Sequence, residues 1–296
     1  MSTPQQRIRE VYGFDFPDDF FRFAEFLKQF PRDFLQDPAD MRPNFPFDLI
    51  DGKSARTHPD HPAWESRYYN DLPEFTTLFG GGTDGLHWGY HFDAPGELPP
   101  IVVHYWARDT FEHAFDGDTL FEAVRRGLED SRDEFEEMQE DEPEESHYPE
   151  QIERIDIILE KLISFAGFDP QALNWTRHHG TSRWRRPTAM TADRVGIVVP
   201  EHQYYPHPIS LFSQGAPNVN RLLVERLIRE AREDIGQGYP GVALQRGRDI
   251  WLWADDFPEC DDLLDEAYAA LGREPLRKLL REAQAFRKHC DSQRTT

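Results

Sequence analysis

The sequence contains little cysteine, little positive charge and no long apolar run. Only Cys260 and Cys290 occur among 296 residues, and they form no CxxC motif. This argues against a disulfide framework and against a cysteine-based zinc site. A reducing compartment is therefore expected: the cytoplasm, or the nucleus if the source is eukaryotic.

The shortage of positive charge excludes whole classes of partner. The chain has 33 basic and 55 acidic residues, a formal net charge of -22, and such a field repels phosphate backbones and anionic membranes. No apolar run approaches the roughly 20 residues that span a bilayer, and the first residues lack the apolar segment of a signal peptide. We therefore predict neither direct nucleic-acid binding nor membrane association.

Aromatic residues, by contrast, are abundant. They make up 13% of the chain, with 22 phenylalanines, which is typical of a globular protein. Helical and strand-like patterns both occur, so the predicted class is α+β. The length predicts two packed subdomains. Each is expected to be a small, largely antiparallel sheet with flanking helices. The predicted N-terminal domain is 1–130, the C-terminal domain is 151–296, and an acid-rich linker, 131–150, separates them.

The densest stretch runs from Arg67 to Trp106 and predicts a strand, turn, strand, loop, strand unit. His87 and His91 share one face of a predicted strand, but no HExxH motif accompanies them, so we predict no metal. The GGGTDG run from Gly80 could bind an anion through its backbone N–H groups. It links two strand-like segments, however, and therefore indicates a hairpin turn.

Helices are predicted where apolar residues recur every three or four positions. The stretch 17–30 carries a phenylalanine stripe and should be core; further helices are predicted at 118–129, 151–166, 219–234, 260–271 and 274–289. A strand is predicted at Val195–Pro200, and the glycine-rich segment Gly241–Trp251 is predicted to be a hairpin.

Arginines cluster between Arg177 and Arg186 and form the only basic patch, on a predicted hairpin arm. The patch either binds an anionic ligand such as a nucleotide phosphate, since arginine forks match phosphate oxygens, or pairs with the acidic linker of its own chain. The candidate ligands are His178, His179, Arg183, Arg185 and Arg186.

Two acid pairs are candidate bases. Glu233 and Asp234 end a predicted helix beside a glycine-rich turn, where negative charge opposes the helix dipole. They are either a general base on a loop or a solvated helix end. Asp255 and Asp256 allow the same two interpretations. No GxSxG motif or Ser/Lys pattern occurs, so a self-sufficient hydrolase is not predicted.

Six segments, in order and spacing, resemble the histone PARylation factor family, the accessory proteins of poly(ADP-ribose) polymerases, and indicate a divergent member. They are VYGFDFPDDFFRFAEF (11–26), PFDLIDG (46–52), RYYNDLPEF (67–75), HWGYHFDAPGELP (87–99), GIVVP (196–200) and GVALQRGRDIW (241–251). The resemblance covers most of the chain. It is strongest for RYYNDLPEF and HWGYHFDAPGELP, and weak in the linker and the C-terminal helices.

The resemblance implies a two-part α+β protein that is not an enzyme on its own. Family members dock on a polymerase's catalytic domain and add an acidic residue to a composite site, which directs ADP-ribose transfer to serine. NAD is then used by the partner and is not bound by the isolated chain. Chemically, a carboxylate must draw the proton from the acceptor hydroxyl as the glycosidic bond of NAD breaks.

Two departures from the family pattern affect the expected site. The family's catalytic acid lies in an Asp-Glu pair just before the segment that GVALQRGRDIW resembles, but GQGYP stands there, and Glu233 and Asp234 are the nearest acids. The family's interface arginine follows the VVP strand, where YYPHP stands. His207 could take the place of that arginine. The expected partner-binding residues are Tyr205, His207, Arg183, Arg185 and Arg186.

Two other functions remain open. An acidic, immunity-type module would sequester a basic protein in a salt-sensitive complex that is indifferent to Glu233→Ala plus Asp234→Ala. A stand-alone enzyme acting on ADP-ribose or NAD would bind a nucleotide without any partner.

Overall fold

The computed structural model describes residues 2–32, 34–109, 111–141, 147–167, 180–206, 221–253 and 258–294. Its helices are α1 Pro4–Tyr12, α2 Asp18–Leu27, α3 Gln36–Ala39, α4 Phe45–Ile50, α5 Leu120–Asp141, α6 Tyr148–Ala166, α7 Arg221–Gly236, α8 Pro240–Trp253, α9 Pro258–Ala270 and α10 Glu274–Arg294. Its strands are β1 Arg42–Pro43, β2 Phe75–Gly80, β3 Leu86–His91, β4 Ile101–Trp106 and β5 Ala114–Gly117. The predicted α+β class is confirmed.

The five strands form one antiparallel meander in the order β1-β2-β3-β4-β5. The strand, turn, strand, loop, strand prediction for the central stretch is therefore confirmed. The glycine-rich run links β2 to β3 as a hairpin. Its Gly82 amide donates to both carboxylate oxygens of Asp40, at 2.9 and 2.8 Å. The anion held by this turn is thus a side chain of the protein itself.

Gly89 lies at the centre of the sheet, opposite Thr77. A Cβ atom there would lie 2.2 Å from the carbonyl oxygen of Thr76 and 2.7 Å from the ring of Phe75. Both distances are shorter than any real contact of a Cβ atom. Only glycine allows β2 and the Phe75 ring to pack this closely.

One face of the sheet packs against the N-terminal helices. The Tyr90 ring contacts Phe16 and Phe20, and its hydroxyl donates to Asp19 at 2.9 Å. Phe23 of α2 meets Phe79 of β2 edge to face, with ring centroids 5.9 Å apart. The phenylalanine stripe predicted from helical spacing is thus core, as expected.

The opposite face packs against the second half of the chain. Its buried side chains are Phe75, Ile101, Val103 and Tyr105. The ring of His113 lies 4.2 Å from that of Tyr105, and the His113 amide donates to the carbonyl of Asp193 at 2.8 Å. Both faces of the sheet are therefore covered, and each half of the chain supplies one cover.

The second half differs from the prediction. Within the described residues after 147, the β-structure is one isolated bridge, Ala189 to Ile197, so the second predicted sheet is not found there. The predicted hairpin at Gly241–Trp251 is wrong: these residues form α8. Nearly all of α8 is buried, and a helix that is buried on all sides has no amphipathic period to separate it from a strand.

The described residues of the predicted linker are largely helical. Helix α5 continues to Asp141 and packs along α6, so residues 131–141 extend a helix. A single cluster of buried apolar residues reaches from Ile8 to Phe286 and joins both halves. The division into domains at 131–150 stays a prediction.

A buried ion pair within the second half lies where that half packs on the sheet. Arg248 of α8 donates to Asp193 and, at 2.8 Å, to the carbonyl of Gly196. Burial alone would raise the pKa of Asp193, but the charges of Arg248 and His113 outweigh it and hold that pKa below its usual range. The carboxylate therefore stays ionised inside the protein.

The buried His113 makes folding dependent on pH. Burial lowers its pKa to about 4, against an ordinary value of 6.5; Asp193 opposes this shift, and His91 and Arg248 add to it. Between these values the unfolded chain binds a proton that the folded chain does not, so stability is lost as the pH falls through this window. We expect a loss of about 3 kcal/mol, measured by urea unfolding at neutral and at acid pH.

His113→Phe keeps a ring at this position and removes the titration. Its free energy of unfolding should change less between neutral pH and about pH 4 than that of the wild type. Equal pH dependence in the two proteins would show that His113 is not the responsible group.

Gly89→Ala should destabilise the sheet by about 2 to 3 kcal/mol, because the added methyl group overlaps backbone atoms of β2. Gly236→Ala is the matched control, since a Cβ atom there meets nothing within 4 Å. Urea unfolding should separate the two variants clearly. A Gly89→Ala protein as stable as the control would contradict the close approach.

Candidate functional site

Two of the predicted partner-binding arginines are held by carboxylates of the first half. Arg185 bonds Asp93 through Nε at 2.6 Å and Nη2 at 2.9 Å, and also donates to the carbonyls of Val195 and Gly196. Arg183 bonds Asp118 at 3.0 Å through Nε and pairs with Glu122. The arm thus pairs with its own chain, at these buried acids of the first half.

Arg186 is placed differently from its neighbours. It is exposed, and its guanidinium donates to the carbonyls of Ser182 and Arg185 at 2.7 and 2.9 Å. The adjacent Trp184 is 45% exposed and has the Arg183 guanidinium over its ring. Arg186 and Trp184 are therefore the large side chains that face solvent in the described part of this segment. The other candidate ligands, Arg177, His178 and His179, lie outside the described residues.

The acid pair lies in the last turn of α7, and its two members differ. Glu233 is exposed, whereas Asp234 is buried with 5% of its surface accessible. Successive helix residues point in directions about 100° apart, so a side chain at 234 turns inward where one at 233 turns outward. His207, Asp255 and Asp256 lie outside the described residues.

Asp234 is held from two sides. Its Oδ1 accepts a hydrogen bond from the Tyr205 hydroxyl at 2.7 Å. Its Oδ2 lies 3.3 Å from Nη1 of Arg246 on α8, which also lies 3.6 Å from Glu230, one turn earlier on α7. The hydrogen bond to Asp234, aided by burial, raises the pKa of the Tyr205 hydroxyl, so this group remains a donor. Arg246 offsets the unfavourable negative charge at this helix end.

Close backbone contacts bring Tyr205 to this place. A Cβ atom on Gly241, at the start of α8, would lie 2.7 Å from Val199 and 2.9 Å from the carbonyl of Gln203. The short 3-10 turn Glu201–Gln203 therefore sits directly on α8. The next residue, Tyr204, donates to Gln245 of α8 at 3.1 Å. Tyr205 then reaches Asp234 and packs its ring edge to face on Tyr239, 4.9 Å away.

The structure thus brings Tyr205 and Asp234 together, with Glu233 beside them. Arg183 and Arg185 have their partners elsewhere, on the first half of the chain. Sequence reasoning missed Arg246 and Tyr239 as members of this cluster. Arg246 lay in a segment predicted to be a hairpin, and only its helical placement faces it towards α7.

The conspicuous histidines serve the sheet. His87 contacts the carbonyl of Gly85 through Nδ1 at 2.7 Å and lies 3.3 Å from Asp71 through Nε2, and His104 lies 2.8 Å from Asp116. Across the described ranges, no group of three or more histidine, cysteine, aspartate or glutamate side chains is arranged to hold a metal ion. None of the described helices combines the length and apolar character needed to cross a membrane.

Comparison with known proteins identifies the relatives of this chain. The model of the family described as "Histone PARylation factor 1" matches residues 3–206, more than half of the chain. Tyr205 lies at the end of this match, and Glu233 and Asp234 lie beyond it.

Individual relatives match a smaller part. The chain is 31% identical over 128 residues to histone PARylation factor 1 of Danio rerio, covering 40% of this chain and 36% of the relative. The proteins of Mus musculus and Bos taurus are each 29% identical, over 134 and 131 residues, covering 42% and 41% of this chain. The alignments span 38% and 37% of those two relatives, little more than a third of their length. With the family match across residues 3–206, the chain belongs to the histone PARylation factor 1 family.

Proposed function

We propose that this chain is an accessory factor of a poly(ADP-ribose) polymerase-like ADP-ribosyltransferase. In this proposal it binds the partner's catalytic domain, adds an acidic side chain to the active site and directs transfer to serine. The family match over residues 3–206 supports the accessory role. NAD belongs to the partner's site.

The placement of the acid pair carries the catalytic part of the proposal. Glu233 is exposed in the last turn of α7, next to a buried residue that is fixed in position. A carboxylate in this position is able to reach an acceptor on a docked partner. In the reaction, Glu233 accepts the proton of the serine hydroxyl, the serine oxygen bonds to the anomeric carbon of ADP-ribose, and nicotinamide leaves.

Asp234 has a positioning role in this proposal. Its carboxylate accepts a part-buried hydrogen bond from Tyr205 and pairs with Arg246, so it cannot approach an acceptor without breaking these contacts. What it does instead is fix the last turn of α7 against α8 and the 201–205 segment. A base held by its neighbours in this way needs less reorganisation when the acceptor arrives.

A docking surface is proposed on the segment around Arg185. Arg186 and Trp184 face solvent, and an exposed arginine beside an exposed tryptophan is a common anchor in protein interfaces. We assign partner contact to Arg186, while Arg183 and Arg185 hold the segment that carries it. Tyr205 contributes by shaping the surface around Glu233.

Glu233→Gln should abolish stimulated transfer to serine and leave docking intact. The amide has the same shape as the acid but cannot take the proton, and such a loss costs about 100-fold or more in rate. Transfer would be measured on a serine peptide with NAD and the catalytic domain of a poly(ADP-ribose) polymerase, and docking by pull-down. Glu225→Gln, an exposed acid two turns earlier on α7, is the control and should retain full activity.

Each outcome of this experiment has a separate meaning. Absence of docking, with no change in the acceptor residue, would contradict the accessory role itself. If the Glu233→Gln variant docks and stimulates transfer fully, Glu233 is not the base, but the accessory role is not contradicted. Binding of NAD or ADP-ribose to the isolated chain, measured by calorimetry, would favour a stand-alone enzyme instead.

Tyr205→Phe should lower stimulated transfer about fivefold, because Asp234 loses one hydrogen bond and holds the last turn of α7 less firmly. The melting temperature and the affinity for the partner should stay close to wild type. A fall in affinity with unchanged rate would show that Tyr205 contacts the partner directly, contrary to the positioning role.

A further inference from the structure

The hairpin of α5 and α6 holds much of the negative charge of the protein. Its described residues 120–141 and 147–166 include thirteen acidic and five basic residues, a net charge of -8 out of -22 for the chain. Arg132 neutralises part of this charge through ion pairs with Asp156 at 2.7 Å and Glu136 at 2.9 Å. This pairing ties the two helices together and leaves a strongly acidic surface.

A shallow groove of about 400 Å³, lined by both polar and apolar side chains, runs along the same surface. Its α6 wall is formed by residues 149, 152, 153, 156, 157 and 160, which recur at helical spacing and so share one face. Glu136 and Gln139 of α5 form the other wall. The groove therefore has Pro149, Ile152 and Ile157 within an acidic rim.

Large apolar side chains are exposed here. Ile157 is 47% exposed, Ile163 further along α6 is 39% exposed, and Met138 on α5 is 38% exposed. These are three of the seven exposed large apolar side chains found in the described part of the chain. Ile157 lines the groove, and the other two side chains lie on the same pair of helices; exposed apolar side chains on an otherwise charged surface are a feature of contact sites.

We infer that this groove, the α5–α6 groove, binds a basic amphipathic helix of a partner protein. The acidic rim complements lysine and arginine, and the isoleucines complement the apolar stripe of such a helix at spacings of three and four residues. Negative charge of this density repels nucleic acid, anionic membranes and a second copy of the same hairpin. The surface is built from elements other than those that place Glu233, so the inference stands apart from the proposed function.

The α5–α6 groove can be tested with a designed peptide. The probe is a fluorescent helix of about 18 residues with leucine at i, i+3, i+4 and i+7 and lysine elsewhere. The full chain should bind it, and Glu153→Lys plus Glu160→Lys should weaken binding at least tenfold. The control, Glu10→Lys plus Asp18→Lys, changes the net charge equally on exposed positions of α1 and α2 and should weaken binding less than twofold.

A second pair of variants separates apolar contact from charge. Ile152→Ser plus Ile157→Ser leaves the charge unchanged and should weaken peptide binding about tenfold, with the same salt dependence as the wild type. Circular dichroism would check that each variant is folded. A scrambled peptide of equal composition should bind at least tenfold more weakly.

Three results would overturn the inference. They are no binding of the peptide by the folded wild-type chain, equal binding of the scrambled peptide, and equal weakening by the control pair of charge reversals. Each would show that the acidic hairpin binds basic peptides non-specifically or does not bind them at all. None of these results bears on the role proposed for Glu233, which the transfer assay tests separately.

Discussion

The buried pair of Arg185 and Asp93 is the interaction on which the arrangement of the two halves depends. Asp93 follows β3, and its carboxylate accepts two hydrogen bonds from Arg185 and one from the amide of Val198. Arg185 has 7% of its side chain accessible and Asp93 3%, so neither charge has water as a substitute partner. Loss of either one would leave an uncompensated buried charge, at a cost of about 3 to 5 kcal/mol. The pair fixes the segment that runs on to the 201–205 turn, and hence to Tyr205.

Much of the first half was predictable from sequence, because its patterns are strong and local. The phenylalanine stripe of α2 has a clear helical period. The glycine run before His87 lies between two strand-like segments, a pattern that predicts a hairpin. The second half was harder to predict, because a helix that is buried on all sides lacks the alternation of apolar and polar residues that identifies a helix. In α8 the apolar residues Val242, Ala243 and Leu244 are all buried, and a helix surrounded on every side reads as a short apolar run.

The candidate site could be predicted only in part, for a related reason. Glu233 and Asp234 drew attention as acids at a helix end, but sequence could not tell that one faces solvent and the other is buried. That difference depends on which side of α7 meets α8. The roles of Arg183 and Arg185 were similarly hidden: a basic cluster in an acidic protein suggests a ligand, whereas the structure pairs both arginines with carboxylates far away in the chain. Long-range pairing of this kind leaves no local signal.

The hydrogen bond between Tyr205 and Asp234 joins a stretch that the family model matches to one that it does not match. Tyr205 lies in the part that matches the family, and Asp234 lies on a helix beyond it. The site therefore depends on contacts between the matched part and a helix outside it: the Tyr205–Asp234 hydrogen bond and the packing of α7 into the shared core. Such a helix can lose or regain a reactive carboxylate during divergence without any rebuilding of the sheet, provided that position 234 keeps an acceptor for the tyrosine. The family match over residues 3–206 therefore includes the tyrosine of this hydrogen bond but not the carboxylate that accepts it.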